Sequence, residues 1–218
     1  MGDCGGARPG ALRRVAIGAW VAFLCLALAV GAAAAPSVED VMANIQHALG
    51  QLPPDMGFRQ HVVLQVLLFS WRFHSDVVRR GGEYFVETRG APSFLPPDVM
   101  ASLVQVHLGL DDYDLDVVGE EVNGNGEPVY VLAGRRRGPG QGAVGGALWV
   151  NGHTWLVEKA VLDYDWGTLE VQQEFHRVDG YTVLRAQRAA ANRLGARLTV
   201  EYADYWFGNV EMIAREDH

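Results

Sequence analysis

Apolar positions recur along this chain at two different spacings, and the change from one to the other marks out its elements. Val38, Val41, Met42, Ile45, Ala48 and Leu49 fall on one face of a 3.6-residue repeat. Ser37-Val38-Glu39-Asp40 opens that stretch with a hydroxyl and a carboxylate at capping-box spacing, and Gly50 with the pair Pro53-Pro54 stops it. The spacing predicts a helix whose stripe must be buried on something larger. That partner reads as a sheet. Residues 58–73 are one long run rich in β-branched and aromatic types. Residues 83–89 alternate, with Tyr84, Val86 and Thr88 on one side and Glu83, Phe85 and Glu87 on the other. Gly81-Gly82 supplies the turn between them. Pro96-Pro97-Asp98 then opens a second helical stretch whose face carries Val99, Leu103, Val106 and Leu110.

Strand patterns fill the rest: 115–121, 128–133, 147–150, 154–164, 168–177, 182–190 and 197–207. The links are Asn123-Gly124-Asn125-Gly126, Asn151-Gly152, Asp165-Trp166-Gly167, Asp179-Gly180 and Leu194-Gly195. Such turns favour hairpins, so consecutive strands are expected to pair antiparallel. The architecture implied is one large meandering sheet with two helical segments on one face. A sheet this long curls, and helices inside the curl leave a groove between the layers.

The start of the chain obeys neither period. Arg8, Arg13 and Arg14 precede an uncharged apolar run over residues 15–30, which ends in Gly31 and the alanines Ala32 to Ala35. A basic start, an apolar stretch and small residues with an A-x-A pattern describe a secretory signal peptide over residues 1–35. A retained membrane anchor is the alternative, and the alanine tract favours cleavage. Residues 36–218 then form a single domain, periplasmic or extracellular. Both cysteines, Cys4 and Cys25, lie in the leader, so the remainder has no disulfide, thiol nucleophile or cysteine metal site. Cys25 follows Phe23-Leu24 rather than small residues, which excludes a lipidated amino terminus. The formal charge of −8 becomes more negative once the leader is removed. That balance argues against nucleic acid as the partner and against broad adsorption to anionic lipid.

The polar clusters offer little chemistry. Asp112, Asp114 and Asp116 have the start of a calcium-loop spacing, but Val117 stands where glycine is needed and Asn123 where glutamate is needed. His47, His61, His74, His107, His153, His176 and His218 form no H-E-x-x-H motif. None of the serines after the leader lies in a nucleophile elbow. Residues 134–142 make a basic, glycine-rich loop around Arg135, Arg136 and Arg137 without the spacing of a phosphate loop. What remains is apolar surplus. Residues 62–69 are apolar on both faces, more than one covered face of a sheet accounts for, which points to a lined pocket or a partner surface.

Ala147-Leu148-Trp149-Val150 followed by Thr154-Trp155-Leu156-Val157-Glu158-Lys159 resembles a hairpin of the bacterial outer-membrane lipoprotein-sorting carriers, the LolA-like superfamily. Gln172-Gln173-Glu174-Phe175 with Val178-Asp179-Gly180-Tyr181 resembles the next hairpin, and Thr199 through Phe207 the closing strand. Ile45 and Phe58-Arg59-Gln60 resemble the first helix and the start of the first strand. The resemblance implies an α+β fold: a large curled antiparallel β-sheet, a half-open barrel, with helices packed on its concave face over an apolar cavity. It implies a non-enzymatic carrier of acylated lipoprotein or lipid that works with a membrane-bound donor or receptor protein and uses no cofactor or metal. A regulator of the same fold that binds an anti-sigma factor or another envelope protein is the alternative. The expected cavity residues are Leu64, Val66, Leu68, Phe85, Val99, Leu103, Val106, Trp149, Trp155, Val171 and Phe175. A one-residue slip of register would turn any of the strand positions outward. No arginine is assigned to the cavity from the sequence.

Overall fold

The computed structural model describes residues 35–81, 83–93, 110–139 and 142–208. Its first element is the helix α1 (Val38–Gly50). Ser37 Oγ accepts the Asp40 N–H at 3.1 Å, and the Asp40 carboxylate accepts the Ser37 N–H at 3.3 Å. Both bonds of the expected capping box are therefore made, satisfying two backbone donors that the helix leaves open.

Ten strands follow: β1 (Met56–Val66), β2 (Phe69–Arg80), β3 (Glu83–Arg89), β4 (Tyr113–Val122) and β5 (Pro128–Arg136), then β6 (Gly145–Asn151), β7 (Val157–Tyr164), β8 (Gly167–Val178), β9 (Tyr181–Ala191) and β10 (Ala196–Phe207). They form one antiparallel sheet in the order β3-β2-β1-β10-β9-β8-β7-β6-β5-β4. The first and last strands pair along their whole length, from Met56 opposite Phe207 to Val66 opposite Ala196. Successive strands β3 and β4 become the two edges, so the sheet is not closed.

Two differences from the sequence reading have identifiable local causes. The run over residues 58–73 is not one strand. It breaks at Leu67-Leu68, where Leu67 takes a left-handed φ of 54° and β1 and β2 pair from Met56 opposite Arg79 to Val66 opposite Phe69. Apolar residues continue through this turn, so hydrophobic pattern carries no sign of it. The strand expected from residue 154 starts at Val157, because Asn151 Oδ1 accepts the His153 and Thr154 N–H groups at 2.8 and 3.1 Å and Trp155 has a φ of 57°. The second helix expected from Pro96 falls outside the described residues. Among those residues there is a single α-helix.

Two core clusters hold the sheet. Met56, Phe58 and Val62 of β1 pack with Phe73 and Val77 of β2 and with Val200 and Tyr202 of β10. Val41 and Ile45 of α1 pack with Leu132, Leu148, Val150, Ala160 and Val171 of β5 to β8. Side chains of this size each contribute roughly 1.5–3 kcal/mol when fully buried. The sheet is curled. Tyr84 on β3 and Phe175 on β8 border the same cavity, although five strand spacings separate them in the order of the sheet. With strands about 4.8 Å apart, a flat sheet would hold them about 24 Å from each other.

Candidate apolar binding cavity

The cavity has a volume of about 260 Å³. The helix supplies one wall. Val41 and Ile45 are buried, and the next turn of the same stripe carries Ala48 and Leu49 to the cavity, with Leu52 just beyond. Inward positions of β1, Met56 and Phe58, supply the opposite wall. Phe175 of β8 and Leu184 of β9 lie directly opposite each other in the sheet and both reach it.

Trp155 completes the lining through a local device. Asn151 is buried, donates from Nδ2 to Glu127 at 2.7 Å and to Glu158 at 2.8 Å, and holds the turn that follows through its Oδ1. The turn ends with the Trp155 N–H donating to the Asn151 carbonyl at 2.8 Å and the indole stacked on Tyr130 at 5.6 Å. An aspartate or serine at residue 151 could not make all of these bonds, because it lacks an amide that both donates and accepts.

Polar groups are few and placed. Arg79 is the single ionised side chain in the lining among the described residues. It belongs to the inward series Phe73, Ser75, Val77, Arg79 of β2, and its Nη1 donates to the Pro53 carbonyl at 3.2 Å. Its guanidinium carbon lies 5.6 Å from the centre of the Tyr84 ring, and its buried Nε has no partner among the described residues. No carboxylate neutralises it among the described residues. Burial raises the Tyr84 hydroxyl above the usual phenol range, and the Arg79 charge draws it partly back. Tyr205 donates to the Leu184 carbonyl at 2.6 Å, and burial raises its pKa as well, with Tyr202 and Tyr84 adding to the effect. A row of neutral polar side chains crosses the sheet nearby. Thr88, Ser75, Gln60 and Tyr202 stand opposite one another on β3, β2, β1 and β10, and the Tyr202 hydroxyl donates to Gln187 Oε1 at 2.7 Å.

Of the residues expected in the cavity, Trp155 and Phe175 line it. Val171 is buried in the core against α1. Leu64 packs on the β1 core and Val66 ends that strand half-buried, both beyond the lining. Leu68 is 98% exposed at the β1–β2 turn. Phe85 is exposed because its neighbour Tyr84 takes the inward position of β3. Trp149 alternates with buried Leu148 and Val150, with the Lys159 ammonium 4.7 Å from its ring centre. Val99, Leu103 and Val106 lie outside the described residues. Arg79, Tyr84 and Tyr205 were missed. For Arg79 the available signal was a charge at an inward position of an alternating strand.

No family model and no curated protein matches this sequence. Solved structures do match. A DUF1329 family protein from Desulfovibrio piger superposes with a TM-score of 0.61 at 14% identity, covering 79% of this chain and 94% of that one. A protein described as an outer membrane lipoprotein-sorting protein domain, from Vibrio parahaemolyticus, gives 0.59 at 11% identity with the same coverage. This chain has the LolA-like fold. A LolA superfamily protein from Nitrosomonas europaea gives 0.50 at 12% identity, covering 81% of this chain and 96% of that one. At these identities the likeness extends to the fold alone.

Proposed function

We propose that this protein is a non-enzymatic, extracytoplasmic carrier that binds the acyl chain of a lipoprotein or lipid in the cavity under α1. The observation that carries the reading is the combination of an apolar lining with one uncompensated arginine. An acyl chain in water costs roughly 0.8 kcal/mol per CH₂, and an apolar cavity removes that cost. A charge kept in such a lining without a carboxylate partner suits an anionic or strongly polar head group, since a buried cation is otherwise expensive. Arg79 is placed to meet that head while Phe175, Leu184 and Leu49 hold the chain. In this reading α1 lies on the concave face of the curled sheet. Release of residues 1–35 as a signal and hand-over to a membrane-bound donor or receptor protein complete the proposal.

Native mass spectrometry of protein purified without detergent tests it. The expected result is a co-purifying acylated ligand, or retention of an added one at one-to-one stoichiometry. Protein that neither carries nor takes up any acylated molecule would refute the reading.

A further inference from the structure

The two ends of the sheet are chemically different. Alternation of the antiparallel strands puts the β1–β2, β5–β6, β7–β8 and β9–β10 turns at one end. Nine large apolar side chains are exposed among the described residues, and six of them sit at that end: Leu67, Leu68, Phe69, Val144, Trp166 and Leu194. The other three, Phe85, Val118 and Val122, are on the edge strands β3 and β4. At the opposite turns, around Gly81, Asn125, His153 and Asp179, the described residues expose one large apolar group, Val122 at the end of β4.

The β1–β2 and β9–β10 turns merge into one projection. The Leu67 N–H donates to the Gly195 carbonyl at 3.1 Å, and Phe69 stacks on Trp71 at 5.9 Å. Leu67, Leu68 and Phe69 are 77%, 98% and 66% exposed, and Leu194 is 53% exposed. Exposure of this kind in consecutive residues marks an interaction surface. Charge says what kind. Residues 62–73 and 186–200, which build the projection, contain Arg72, Arg188, Arg193 and Arg197 and no aspartate or glutamate, in a chain of net charge −8. Arg188 is paired with Glu174, while Arg72, Arg193 and Arg197 are exposed and make no ion pair among the described residues. Arg193 lies against Gly167 of the β7–β8 turn, whose loop adds Asp163 and Asp165 beside the projection.

We propose that this projection seats on the surface of a bilayer with anionic head groups, with Leu67, Leu68 and Phe69 entering the interface and Arg72, Arg193 and Arg197 on the phosphates. An apolar tip with cations beside it is the composition that such a surface retains. The net charge of −8 on the chain as a whole then disfavours less specific adsorption to the same surface. The cavity-lining residues sit toward the other end of the strands, as the pairing of Met56 with Phe207 and of Tyr84 with Arg79 shows. The membrane contact therefore leaves the cavity end pointing away, and it stands whether or not the cavity holds an acyl chain.

Flotation of the soluble unit Pro36–His218, which holds the whole sheet and both cores, with vesicles tests this. The vesicles are phosphatidylcholine alone or phosphatidylcholine with phosphatidylglycerol. Binding is expected to both, stronger with phosphatidylglycerol, and weakened by salt in that case. Changing Leu67, Leu68 and Phe69 together to serine is expected to lower partitioning at least about tenfold. Arg193→Gln with Arg197→Gln is expected to abolish the phosphatidylglycerol preference, and Val118→Ser is expected to change nothing. Trp71 next to the tip gives a reading on the unsubstituted protein: brominated phosphatidylcholine should quench it. Protein that does not float with either vesicle, or a triple variant that floats like the parent, would overturn the proposal and leave the projection to a protein partner.

Discussion

Gly57 and Trp206 face each other across β1 and β10, and the indole lies where a side chain on residue 57 would be. A Cβ at residue 57 would fall 1.6 Å from the Trp206 ring. Gly57→Ala therefore has to displace the ring or bend the strand, and the expected loss is about 1–3 kcal/mol of unfolding free energy, read from denaturant melts. Glu127 carries a different kind of constraint. Hydrogen bonds from Asn123 and then Asn151 lower its pKa from the ordinary 4.5, with His153 adding a smaller pull. The sign follows from linkage: a carboxyl group with a depressed folded pKa contributes stability above its unfolded pKa and loses it as pH falls through the folded value. The stability gap between the parent and Glu127→Gln should thus be constant above about pH 5 and shrink below pH 4. Thermal melts across that range check it, and a gap that widens on acidification would contradict the assignment. At this scale the sequence was legible where a residue acts on its neighbours, as at the Ser37–Asp40 capping box. It was not legible where the partner is distant. Strand alternation turns Arg79 inward, but the apolar groups its guanidinium faces come from distant elements.

Among elements, α1 does two jobs with one stripe: Val41 and Ile45 fasten it to β5–β8, and Leu49 one turn later borders the cavity. Ile45→Ala should destabilise the protein by about 2–5 kcal/mol. Leu49→Asp should leave stability closer to the parent and remove acyl binding, a separation measurable by running melts and ligand titrations on both variants. Most of the strands were readable because polar turns such as Asp179-Gly180 punctuate them, nine being expected where the described residues form ten. The first of them failed for a physical reason. Leu67, Leu68 and Phe69 are apolar although exposed, so a turn was hidden inside what reads as core strand. The same residues explain why Leu68 was expected in the cavity: burial against a partner and burial in a core leave the same mark on composition. Phe85 and Tyr84 differ by one position, and only the observed register with β2 decides which one turns inward.

For the molecule as a whole, the decisive pairing is that of β1 with β10, which makes the meander a curled sheet with a shared interior. No local pattern announces that pairing, because register between distant strands is set by matching whole faces. Curling in turn gathers Tyr84, Met56, Phe175 and Leu184 around one space, and α1 bounds it. The account rests on that space holding an acyl chain with its polar head near Arg79. Arg79→Gln should weaken binding of a carboxylate- or phosphate-headed ligand about 10- to 100-fold, as expected for loss of a charge-assisted hydrogen bond, and leave a neutral-headed ligand little affected. The most direct measurement uses Trp155, whose indole lines the cavity. Titration with a fatty acid brominated along its chain should quench tryptophan emission saturably at one ligand per protein, and Trp155→Phe should lose most of that quenching while still binding. Quenching that never saturates, or that is unchanged in Trp155→Phe, would contradict an acyl chain in this cavity.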